Sequence, residues 1–216
     1  MSRVGVAVAF TAALTLGLFA AAAVPSRAAP GSLSLKISPS ELTPLETATL
    51  SGKVTPRLTK PAKLYVQSSA DDKAFSTVRT VTLPKGATKF STSYVAGTVL
   101  GPVYLRVKFG KLATKGLKVI VTQIITVRIR DMAFSDATLT VPLWTTVLWA
   151  NDDNVQHTVT SVGGLTPGAV PTGLFDSHPI PVGGSFRYTF VKTGTIFYEC
   201  TIHSDVPALH AEVIVQ

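Results

Sequence analysis

Cysteine occurs once in the 216 residues, at Cys200, and methionine twice, at Met1 and Met132. A single thiol excludes any disulfide within the chain and any zinc site built on paired cysteines. Charged side chains make up only 15% of the sequence against 46% hydrophobic, which excludes a disordered chain and suits one large or two small domains with real cores. Sustained helical periodicity is also missing. After residue 24 no second apolar run is long enough to span a bilayer. Histidine is scarce and unevenly placed, because His157, His178, His203 and His210 all fall in the last third together with Cys200.

Acidic residues are few in the first half. Residues 31 to 121 hold fourteen Lys or Arg against four acids, and residues 122 to 216 hold four against eight, so the halves carry +10 and −4. A basic surface of this kind is expected to meet an anionic cell-envelope polymer or lipid headgroups, with attraction that salt screens. Nucleic acid is not an expected partner.

The chain opens with a short basic stretch, Met1 to Arg3, then an apolar run from Val4 to Val24, then Ser26-Arg27-Ala28 with small residues at the −3 and −1 positions of a cleavage site. This pattern predicts a signal peptide over residues 1–28 and an exported protein. Retention as a membrane anchor is the alternative, since the run is about the ~20 residues a bilayer span needs. In an oxidising compartment Cys200 is then expected to be buried, bound, or both.

Downstream, short runs rich in Val, Thr, Leu and Tyr alternate with Pro, Gly and Ser, which predicts two all-β units. The first covers residues 31–121, with strands at 33–37, 48–54, 63–67, 78–83, 89–95, 103–109 and 117–121. With its opening "LSLKISPSELTPLETATLSGKV" and closing "PVYLRVKF", it resembles bacterial immunoglobulin-like modules, which implies a β-sandwich used as a spacer or adhesive element. The second unit covers residues 124–216, with strands at 124–130, 138–141, 146–150, 157–161, 185–190, 194–199 and 211–215. Between Ser161 and Pro181 lies a Gly/Pro-rich stretch without periodicity. Almost no linker separates the units, so they are expected to pack or hinge stiffly.

Chemistry concentrates in "NDDNVQHTVTS" and "YECTIHSDVPALHAEVIV". A Cys-x-x-His loop supplies two donors, Cys200 and His203, and the distant His157 supplies a third. One thiolate and two imidazoles with a weak axial ligand make a mononuclear blue-copper electron-transfer site. The ordered features "AFSDATLTV", Val147-Leu148-Trp149-Ala150-Asn151, His157-Thr158-Val159, "FDS", "GGSFRYTF" and "GTIFYEC" resemble the cupredoxin family, close to its plastocyanin and amicyanin type. The resemblance implies a Greek-key β-sandwich over residues 124–216, with His157, Cys200 and His203 holding one type 1 copper that shuttles between Cu(II) and Cu(I).

The chain departs from that family where a Met is usual after the second His. Counting back from Val213 and Val215 puts Leu209 in that slot, which leaves three donors, favours Cu(I) and raises the reduction potential. His210 is the rival axial donor, although strand alternation turns it outward. His178, Met132 and the surface-directed Glu199 are further residues near the expected site. Trp149 reads as core, and Trp144 stands in a turn where the family commonly has Gly.

The expected function is an exported, non-enzymatic one-electron carrier that serves a redox protein partner whose identity the sequence does not carry. Oxidases and nitrite reductases need further copper sites, usually including His-x-His pairs, and the chain has none. Copper sequestration, or a structural or adhesive envelope protein with an impaired copper site, are the alternatives.

Overall fold

The computed structural model describes residues 31–216, so the signal peptide expected at residues 1–28 lies outside the described residues. Those described are all-β apart from two single-turn 3-10 helices, Thr201–His203 and Pro207–Leu209. The first half comprises β1 (Ser32–Leu33), β2 (Lys36–Ser38), β3 (Glu41–Leu42), β4 (Thr47–Thr55), β5 (Ala62–Ser69), β6 (Ser76–Leu83), β7 (Lys89–Val95), β8 (Gly101–Phe109), β9 (Leu112–Ala113) and β10 (Leu117–Val121). One sheet joins β1, β2 and β7 to β4, and the other runs β3-β10-β8-β5-β6 with β9 on β8. Alternation drives their stacking: Ala48, Leu50 and Val54 of β4 face Leu64 and Val66 of β5 and Leu105 and Val107 of β8 in one buried cluster.

The second half comprises β11 (Gln123–Arg130), β12 (Ala133–Phe134), β13 (Thr138–Val141), β14 (Thr145–Asn151), β15 (Thr160–Val162), β16 (Pro171–Asp176), β17 (Ser185–Thr189), β18 (Gly194–Glu199) and β19 (His210–Val215). Its sheets run β12-β11-β14-β17 and β13-β19-β18-β15-β16. The pairs β11–β14 and β13–β19 are parallel, so the chain must cross repeatedly between sheets, as in a Greek key. Trp149 fills the core between them, its ring 5.4 Å from Tyr198, 5.7 Å from Phe175, 5.8 Å from Phe186 and 6.5 Å from Phe190. This is the packing role its place in the strand pattern predicts.

Three local expectations are corrected. The first strand is broken into β1 and β2, because each pairs with a different part of β4. The strand expected at 157–161 starts only at Thr160, and His157 makes an isolated bridge to Ile180. The aperiodic stretch after Ser161 contains β16, which pairs with β15 across a register shift. Ser161 fills that irregularity: its buried Oγ accepts the N–H groups of Leu174 and Phe175 and donates to the Phe175 carbonyl. Side-chain hydrogen bonding of this sort leaves no hydrophobic alternation to read.

The join between the halves is ordered by polar contacts and one indole. The Thr122 hydroxyl donates to the Trp144 carbonyl at 2.7 Å and lies 2.9 Å from the Thr146 hydroxyl, and the Thr122 N–H donates to the Leu42 carbonyl. Trp144 adopts φ +69, and its ring lies so close to Gly101, itself at φ +123, that a Cβ there would sit 3.1 Å from the indole. The Trp144 indole therefore braces the two halves.

Candidate metal centre

Strand direction decides where the site lies. β11 and β14 start beside the join at Gln123 and Thr145 and run away from it, while β18 ends and β19 begins at the same far end. The loops there place one sulfur and two imidazole nitrogens, from His157, Cys200 and His203, within 4.8 Å of one another. Cys200 Sγ is 3.6 Å from His157 Nδ1 and 3.4 Å from His203 Nδ1. A metal with about 2.3 Å bonds to sulfur and about 2.0–2.1 Å bonds to nitrogen, at angles of about 100–120°, needs S···N edges of roughly 3.3–3.8 Å. Both edges fit one mononuclear ion. His157 and Cys200 are fully buried and His203 is half-buried.

The loop geometry explains why these three converge. The Cys200 N–H donates to the Leu209 carbonyl, and successive turns follow from His203 to Cys200, Val206 to His203 and Leu209 to Val206. These tight turns fold residues 200 to 209 back onto the end of β18. Thr158 clamps the loop from the segment leading into β15: its hydroxyl accepts the Thr201 N–H at 2.7 Å, and its own N–H donates to Cys200 Sγ at 3.2 Å.

Asp153 sets the state of His157, and the sequence reading missed it. Its Oδ2 lies 3.1 Å from His157 Nε2 and accepts the Met132 N–H at 2.8 Å. The carboxyl is held below its usual range, chiefly by the Met132 N–H, with the Asn154 N–H and the His157 ring adding to the effect and burial opposing it. An ionised carboxylate only accepts, so Nε2 of His157 donates to it, and in the neutral imidazole that a metal requires the Nδ1 lone pair is the one left facing the sulfur. Asn151 braces this turn, donating to the carbonyls of Val155 and Ile180 and accepting the Asp153 N–H. A carboxylate four residues before a candidate ligand His was the available signal.

The other expected residues are dispersed. Leu209 is buried in the same apolar cluster as Cys200 and offers no donor atom. His210 does not join the cluster: its Nε2 lies 2.8 Å from the Ser204 carbonyl and its Nδ1 3.4 Å from Glu199. The outward turn expected of His210 and Glu199 holds only as to sheet face. Both are buried, because the loop from Ser204 to Leu209 closes over that side, and Glu199 is not on the surface. Strand register places them directly opposite each other. His178 is 84% exposed beside Asp176, away from the donors. Met132 packs against the apolar core in the turn joining β11 and β12.

Comparison with solved structures finds cupredoxins. A purple cupredoxin from Nitrosopumilus maritimus is 28% identical, with 42% of this chain and 98% of that chain covered at a TM-score of 0.36. A Cu(I) form of an amicyanin variant is 27% identical over 43% of this chain and 82% of that one, at a TM-score of 0.35. An oxidised Met-to-Leu variant of amicyanin is also 27% identical, over 43% of this chain and 81% of that one, at a TM-score of 0.35. No family model matches the chain, and no curated protein matches it by sequence.

Proposed function

We propose that residues 124–216 form a cupredoxin domain that binds one copper ion and carries single electrons to or from a protein partner. Residues 31–121 form an immunoglobulin-like module that places it, and the protein acts outside the cytoplasm. The observation that carries this reading is the cluster of a buried thiol and two imidazole Nδ1 atoms with edges of 3.4 and 3.6 Å. Copper in such a donor set supplies a one-electron couple tuned by the axial position and by hydrogen bonds at the sulfur.

The chain's own groups set that tuning. Cys200 offers the soft donor, and the Thr158 N–H at its sulfur withdraws electron density. Asp153 acts in the opposite sense by making His157 a stronger donor. Leu209, in the slot where a thioether is usual, adds no ligand and so favours the reduced state. His203 is the half-exposed member, which makes its ring the route between the buried sulfur and a docked partner. Tight turns hold the donors in place, so little needs to move when the charge changes. Sequestration would gain from extra nitrogen donors, and His178 and His210 both lie outside the cluster.

Voltammetry of the copper-loaded full chain tests the carrier role. A reversible one-electron wave that survives repeated cycling is expected. An irreversible response, or copper lost on each reduction, would favour storage or a structural role.

A further inference from the structure

The strongest unexplained feature lies at the end of the molecule away from the ligand loop. β4 runs from the join towards Thr55, and β2 and β7 flank it with their outward side chains in register. The rows across this face are Thr47–Val95 nearest the join, then Ser38–Thr49–Ser93, Lys36–Ser51–Ser91 and Lys53–Lys89. Every polar group in them is a hydroxyl or an ammonium. The chain contains no acid between Glu46 and Asp71, or between Asp72 and Asp131, so none of the strands in these rows offers a carboxylate. Lys53 and Lys89 stand directly opposite each other, an arrangement that costs stability in a sheet and that folding alone does not call for.

The loops at this end extend the same chemistry. Arg57 donates from Nε to the Gly86 carbonyl at 3.1 Å, which ties the loop after β4 to the turn before β7 and holds its guanidinium near Lys85. Among the described residues, none of Lys36, Lys53, Arg57, Lys60, Lys85 and Lys89 is in an ion pair. Along the open edge between β6 and β7, an open groove of about 580 Å³ continues the face, lined around Arg79 by Val81 and by six hydroxyl residues of β4, β6 and β7.

We propose that this face binds a linear acidic glycan and anchors the protein by it, leaving the opposite end free. Spaced ammoniums match a repeating carboxylate, and rows of hydroxyls on two strands match the hydroxyls of sugar units, which donate and accept in the same way. A bilayer is the poorer fit. Surfaces that enter the headgroup region present large apolar side chains among their cations, and here the one exposed apolar side chain in the rows, Val95, lies at the join end, away from the lysines. The inference concerns a different surface from the copper reading and stands or falls separately from it.

Retention of the full chain on immobilised polygalacturonate tests it, with dextran and with phosphatidylglycerol-containing phosphatidylcholine vesicles as comparisons. Retention on polygalacturonate at low salt, its loss as salt is raised, and none on dextran are the expected results. The double variant Lys53→Gln, Lys89→Gln should bind about tenfold more weakly with a shallower salt dependence. Its melting temperature should be equal or higher, because the like-charge opposition is gone. The visible spectrum after copper addition serves as an independent check on the other end and should not change. Absence of retention, unchanged binding by the double variant, or stronger binding to the vesicles than to polygalacturonate would overturn the proposal.

Discussion

Asp153→Asn isolates the effect of one charge on the proposed centre. The substitution keeps the size of the side chain and removes the ionised acceptor shared by Met132 N–H and His157 Nε2. Loss of a carboxylate that orients a ligand His typically weakens metal affinity about 10–100-fold. The charge also acts through space. With Oδ2 3.1 Å from Nε2, an ion at bonding distance from Nδ1 lies roughly 7 Å from the carboxylate. At that distance one unit charge contributes about 0.6 kcal/mol at a dielectric of ~80 and about 2.4 kcal/mol at ~20. Removing a negative charge disfavours the more positive Cu(II), so the potential rises, by roughly 25–100 mV. Redox titration of the wild type and the variant, with competitive chelator titration for affinity, measures both quantities. An unchanged potential together with unchanged Cu(II) affinity would refute the role given to Asp153.

Leu209→Met should lower the potential by adding a weak thioether donor, while His210→Ala should leave the visible spectrum in place, and a spectrum that responds only to the His210 change would sink the open-site arrangement. The same His210→Ala change should cost about 1–3 kcal/mol in denaturant unfolding, because Glu199 stays buried without its neighbour. Gly101→Ala should destabilise by about 1–3 kcal/mol, since its φ of +123 and the indole of Trp144 both oppose a Cβ; an unaltered melting temperature would remove Trp144 from the join. Asp153 has a folded pKa below its unfolded one, so its stabilisation is present above the usual carboxylate range and fades as pH falls through the depressed value. The stability gap between metal-free wild type and Asp153→Asn should therefore close on acidification, and a gap that widens would contradict the assignment.

The parts of this protein legible from sequence are those governed by side-chain alternation and by donor chemistry. β13 and β18 have the expected limits because Pro142 closes the one and Gly194 opens the other. Cys200, His203 and His157 were legible as a group because few other residue types hold a soft metal, and the fold brings them together. β16 was hidden because Ser161 satisfies its backbone in place of a regular ladder. Asp153 was harder to see: the carboxylate four residues before His157 was a local signal, but its role also depends on a turn that brings the Met132 N–H to the same oxygen, which that spacing does not encode. The burial of Glu199 and His210 follows from a loop closing over the outer face of a sheet, which strand parity does not report.

The central claim is that Cys200 binds Cu(II) as a thiolate together with His157 and His203. Optical and EPR spectra of the full chain after addition of one equivalent of copper(II) test it most directly. An intense thiolate charge-transfer band in the visible is predicted, and it should vanish in Cys200→Ser. A wild-type protein that binds stoichiometric Cu(II) under oxidising conditions and stays colourless would contradict the account.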